Sequence, residues 1–157
     1  MSAERDETRA ERLDRNWENL LQELRVAQTG VQVLTAFLLT LPFQSKFDDL
    51  GDGERILYLA TIGCSVLSTV LLIAPVGAHR LLFRRHQLGD LVNMTHRFAI
   101  AGLVLLGLAL AGAVALVFAL VLGPLAAGIA GAAVAAAFTA FWVVVPVSMR
   151  RRDPVES

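Results

Sequence analysis

One cysteine, one lysine and one tyrosine, Cys64, Lys46 and Tyr58, stand in a chain of 157 residues. A lone cysteine excludes an intramolecular disulfide and any metal site built from several cysteines. Its place inside an apolar run makes it an inert, small core residue. The formal net charge is zero, which removes the bulk attraction on which nucleic-acid binding depends. No phosphate-binding glycine loop is present. The GDGE at 51–54 holds two turn glycines in an acidic loop and matches neither a nucleotide fingerprint nor a calcium loop. The histidines, His79, His86 and His96, lack the four-residue helical spacing of zinc ligands, and no paired nucleophile and base is visible. The expectation is a chain that is not an enzyme and that takes no cofactor, no metal and no nucleic acid.

What the chain has in abundance is apolar sequence: 55% of its residues are hydrophobic and the mean hydropathy is +0.59. That composition places it with membrane proteins. Four apolar stretches stand out, Val26 to Phe43, Ile56 to Ala78, Phe98 to Leu122 and Leu125 to Met149. About 20 apolar residues suffice to cross the hydrocarbon. The last three stretches contain 23, 25 and 25 residues without Asp, Glu, Lys or Arg, whereas the first has 18 and is more polar. The predicted fold is an all-α integral membrane protein with spans at about 26–45, 56–78, 98–122 and 125–149, preceded by an amphipathic amino-terminal helix over 1–25 and followed by a basic tail over 150–157. The mixed charge of residues 1–25 argues against a cleaved signal peptide.

The basic residues set the expected sidedness. Arg80, Arg84, Arg85 and Arg97 lie between the second and third stretches, and Arg150, Arg151 and Arg152 follow the fourth, while Asp48, Asp49, Asp52 and Glu54 crowd the loop between the first two. Short cytoplasmic loops collect Lys and Arg, so both termini are expected inside. In the amino-terminal segment Leu13, Trp17, Leu20, Leu21 and Leu24 recur on one helical face. Such a helix can lie in the interface or continue the first span. Gly123-Pro124 breaks two helices at once and predicts a tight antiparallel hairpin. Small residues at four-residue spacing, Gly107 and Ala111, and Ala127, Gly131 and Ala135, with Gly112 one turn before Leu116, suit close helix packing in lipid.

Polar residues within the spans fall on faces. Gln28, Gln32 and Thr35 share one side of the first span, and Thr61, Cys64, Ser65, Ser68 and Thr69 cluster in the second. The cheapest reading is interhelical glue, with the glutamines turned towards Ser65, Ser68 and Thr69. The alternative is a small polar cavity or cation path beside Pro42 or Pro75. Proton-coupled carriers usually hold a carboxylate, histidine or lysine at membrane depth, and these stretches hold none. His79, Arg80, Arg84, His96 and Arg97, at the cytoplasmic ends of spans two and three, form a candidate site for an anion or an anionic lipid headgroup. The simpler reading of these arginines is snorkelling at helix ends. Glu23 and Arg25 would stand at the cytoplasmic mouth of the first span.

The stretches NLLQELRVAQTGVQVLTAFLLTLPFQSKF and APVGAHRLLFR resemble the recurrent signature of a family of uncharacterised bacterial inner-membrane proteins, many of them actinobacterial, over about residues 16 to 105. Thirteen arginines against one lysine fit a GC-rich bacterial genome. Some members carry an automatic label of sodium:proton antiporter. The resemblance implies a multi-pass protein of the bacterial cytoplasmic membrane and singles out Glu23, Arg25, Gln28, Gly30, Gln32, Pro42, Phe43, Pro75, His79 and Arg80 for testing. The expected function is that of a non-enzymatic accessory or scaffolding subunit whose partners are the bilayer, another membrane protein or a further copy of itself. A small homo-oligomeric transporter or channel is the alternative.

Overall fold

A backbone crossing hydrocarbon finds no water and must satisfy its own N–H and C=O groups, which a long helix does within one segment. The computed structural model describes residues 9–82, 88–144 and 147, with the side chains of 9–14, 16–21, 76, 78–95 and 143 outside the described residues. Four helices account for nearly all of them: α1 (Arg9–Thr40), α2 (Asp52–Leu82), α3 (Leu88–Leu122) and α4 (Pro124–Thr139). Each contains a stretch long and apolar enough to cross a membrane, at Gln22–Phe43, Asp52–Pro75, His96–Leu122 and, running past the end of α4, Pro124–Trp142. The chain is therefore a multi-pass, all-helical membrane protein.

The amino-terminal segment is not a separate element. α1 runs unbroken for 32 residues, about 48 Å at 1.5 Å per residue, so the boundary drawn at residue 25 falls inside a helix. Of the two arrangements open to the segment, continuation of the span is the one adopted. The apolar stripe Leu13, Trp17, Leu20 and Leu21 has its side chains outside the described residues. At its other end α1 tightens into a 3-10 turn, Leu41–Phe43, containing Pro42, with a second such turn at Ser45–Phe47. α4 ends at Thr139 and widens into a π-helical turn over Ala140–Val144, and the arginines of the tail lie outside the described residues.

The helices pack in chain order. α3 is central, flanked by α2 and α4, while α1 lies mainly on α2 with a smaller contact to α3. The most apolar stretch of the third span has 33% of its residues buried, against 11% for the first and 6% for the fourth. α1 and α4 are thus the outer helices of the bundle, and each turns most of its surface away from the other three. An inner cluster of Leu24, Val31, Leu72 and Ala99, with Ala27, Leu103 and Leu106 around it, joins α1, α2 and α3.

Small residues set the closest approaches, because helices in lipid associate by close packing. A side chain at Gly112 would strike Thr61 of α2, and one at Gly107 would stand 2.7 Å from the ring of Phe138 on α4. The predicted hairpin is present. Gly123 adopts φ 92° and ψ 180°, a region essentially reserved for glycine, and Pro124 opens α4 in the first turn, where no amide donor is needed.

Candidate functional site

Proline within or at the end of a helix removes the amide that would bond the carbonyl four residues earlier. α1 and α2 each meet this problem once, and each supplies a side chain near the other's gap. Pro42 leaves the carbonyl of Leu38 without its helical donor. The hydroxyl of Tyr58, on α2, donates to that oxygen at 3.1 Å, with Leu38 fully buried and Tyr58 nearly so. The Tyr58 ring is held edge-on by Phe47, with centroids 5.1 Å apart and planes at 80°. In the opposite direction Pro75, fully buried inside α2, deprives Leu71 of its donor and disturbs that turn. Gln28 of α1 donates its side-chain amide to the next carbonyl, Leu72 O, at 2.7 Å. Two prolines and two polar side chains form a reciprocal clasp between the first two helices.

The serines extend the clasp. The Thr35 hydroxyl donates to Val31 O at 2.7 Å within its own helix and stands 2.6 Å from the Ser65 hydroxyl. Thr35 has one proton, already committed, so Ser65 is the donor between them. One turn along α2, Ser68 faces the other way and donates to Gly102 O of α3 at 2.7 Å. Both serines are fully buried. Thr69 returns to Ser65 O at 3.0 Å and Thr61 to Leu57 O at 2.7 Å, the back-bonding that threonine favours inside helices.

The expected polar cluster is therefore only partly assembled. Gln28, Thr35, Ser65 and Ser68 bridge helices, and Thr69 serves its own helix. The expectation that Gln32 turns to α2 is overturned. Its side chain is exposed and has no hydrogen bond among the described residues. Four residues advance a helix by about 40° beyond a full turn, and that turn carries Gln32 further than Gln28 from Val31, which is fully buried on the side pressed against the bundle. Gln28 sits at one edge of the seam and Gln32 just beyond it. Gln28 bonds the backbone carbonyl of Leu72, beside the turn that holds Pro75, rather than a serine. Tyr58 was missing from the expected set, although Pro42 in the first stretch signalled a carbonyl in need of a donor.

The charged candidates stay apart from this clasp. Glu23 and Arg25 are exposed on α1, and His96 and Arg97 are exposed at the start of the third span. His79 and Arg80 belong to the last turns of α2 with their side chains outside the described residues, and Arg84 lies wholly outside them. Cys64 is a free, half-buried thiol. At the opposite end of the bundle Lys46, Asp49, Leu50, Glu54, Ala119 and Leu120 line a hollow of about 240 Å³, formed by the acidic loop against the end of α3. Among the described residues no three His, Cys, Asp or Glu groups gather as a metal site would require.

The chain belongs to the family of unknown function DUF6328, whose model matches residues 6–146. No curated protein and no solved structure matches it.

Proposed function

We propose that this protein is a non-enzymatic accessory or scaffolding subunit of a bacterial cytoplasmic membrane, with both termini in the cytoplasm. The observation behind this reading is how the polar groups inside the membrane are used. Every serine and threonine in the described spans has a hydrogen bond to a neighbouring helix or to its own. A translocation path needs polar groups that face a common space and exchange partners with a moving solute. Here Ser65 and Ser68 tie neighbouring helices together, and the threonines are engaged with carbonyls of their own helices. The long α1, reaching well beyond its hydrocarbon stretch, provides a rigid arm for engaging a partner. The arginines at the ends of spans two and three suit anionic headgroups on the cytoplasmic side.

Affinity purification of the full chain in mild detergent, coupled to cross-linking mass spectrometry, tests the role. A reproducible membrane partner is expected. A chain that always emerges free of other proteins, and whose deletion leaves membrane complexes unchanged, counts against it. Reporter fusions at both ends test the orientation, for which cytoplasmic signals are expected. In reconstituted liposomes the protein should leave ion gradients intact. Flux that disappears in Gln28→Leu would favour the transport alternative.

A further inference from the structure

We infer that α1 is the seam of a homodimer, in which two copies meet along the face that carries Gln32 and pair their carboxamides with each other. This holds whether the protein scaffolds or transports, so it does not rest on the function proposed above. Gln32 lies seven residues, about 10 Å, inside Arg25 and within the apolar stretch Gln22–Phe43. Arginine at a helix end can reach water along its stem, but the short glutamine side chain at this depth cannot. The group has two donors and an acceptor, and none is used among the described residues. An unpaired amide in hydrocarbon costs several kcal/mol, and acyl chains have nothing with which to pair it.

The rest of this face is built for another helix. Thr29, Gln32, Ala36 and Leu39 are all exposed, and their three, four, three spacing draws one stripe along α1, beside the inward seam of Leu24, Gln28, Val31, Thr35 and Leu38. Thr29 already donates to Arg25 O at 3.0 Å, so Gln32 is the group on this stripe still seeking a partner. Ala36, one turn on, is small enough to admit a neighbouring backbone. Among the described residues no other helix covers the stripe, since α4 packs on α3 and makes no contact with α1.

Symmetry identifies the occupant. Two copies inserted with the same orientation are related by a two-fold axis along the membrane normal, which brings each residue of α1 opposite its own counterpart at equal depth. A carboxamide both donates and accepts, so it is its own complement in that position, whereas a carboxylate or an ammonium group would repel its twin. The exposed group on this stripe is one that can bond to a second copy of itself.

The test uses the full chain in its native membrane with Cys64→Ser as background. Thr29→Cys, Ala36→Cys and Leu39→Cys, each retaining Gln32, should form disulfide-linked dimers on mild oxidation. Val26→Cys and Phe37→Cys, on the other flank of α1, should not. In liposomes carrying fluorescently labelled protein, Gln32→Leu should raise the dimer dissociation constant about 3- to 30-fold, the range expected for interhelical polar pairs. Gln32→Asn, which keeps the amide, should lose less. Because Gln32 bonds nothing among the described residues of its own chain, Gln32→Leu should leave helicity and thermal unfolding unchanged, which separates lost association from lost fold. A monomer at all protein densities, cross-linking equal on both flanks, or dimerisation indifferent to Gln32→Leu would each overturn the proposal. Cross-linking of Ala36→Cys to a different membrane protein in place of its own copy would overturn it as well.

Discussion

Replacing Tyr58 by Phe removes the hydroxyl that serves Leu38 O and leaves the ring against Phe47 intact. Leu38 is 0% exposed and Tyr58 5%, so neither water nor another side chain stands ready to replace the donor. A buried carbonyl that loses its partner costs about 1–3 kcal/mol, and Tyr58→Phe should destabilise the bundle by that amount. The missing donor traces to Pro42, the residue four positions after Leu38. Pro42→Ala restores an N–H at that position and lets the helix bond the carbonyl itself. In the Pro42→Ala background Tyr58→Phe should therefore cost less than about 0.5 kcal/mol, within the scatter of additive pairs. The coupling between the two sites is thus expected to be about 0.5–3 kcal/mol. Reversible unfolding in bicelles, measured for the wild type, both single variants and the double variant, gives the four corners of the cycle. An equal cost for Tyr58→Phe in both backgrounds would refute the clasp, as would a cost below about 0.3 kcal/mol in the wild type, since an unsatisfied buried carbonyl cannot be that cheap.

The Thr35 and Ser65 pair should be asymmetric. Thr35→Val strands the buried Ser65 proton and costs about 1 kcal/mol, moderated by back-bonding of the serine to its own helix, while Ser65→Ala costs less because Thr35 keeps Val31 O; unfolding of the two variants in the same bicelles would show the reverse order if the donor assignment were wrong. Gly112→Val should force α2 from α3 and destabilise by about 1–3 kcal/mol, whereas Gly128→Ala, where an added methyl meets nothing within 4 Å, should be neutral or stabilise by up to about 1 kcal/mol. Thermal unfolding that ranks these two the other way would refute the packing described. Gly123→Ala should cost about 1–3 kcal/mol and weaken the α3–α4 hairpin, read as increased proteolysis at the turn; unchanged resistance would contradict the strained geometry there.

Much of this architecture was legible in the chain alone. Three runs of at least 23 uncharged residues admit little besides spanning helices, because an unpaired backbone cannot be accommodated in lipid. Gly123-Pro124 fixed the hairpin for an equally local reason, one residue supplying a backbone angle that others avoid and the next unable to continue the helix before it. Pro42 marked a carbonyl, that of Leu38, which would need an outside donor, and Tyr58 of the second span provides it.

Tertiary structure decided which helix face turned inward. In water an apolar stripe announces the buried side, but in a membrane the lipid-facing side is just as apolar, so hydrophobic pattern cannot separate Val31, fully buried, from Val33, 67% exposed. The polar residues might have made that distinction, and here they divided: Gln28 and Gln32 are one turn apart and close on the helical wheel, yet one bonds Leu72 O and the other faces outward. Their difference arises from where α2 crosses α1, which presses Val31 against the bundle, puts Gln28 at the edge of the seam and leaves Gln32 outside it. The partner of Gln28 was a backbone oxygen, identical at every position of a helix and therefore invisible in side-chain identities. Sequence supplied the helices and their unmet hydrogen bonds, and only the packing of α1 on α2 chose which polar groups would meet them.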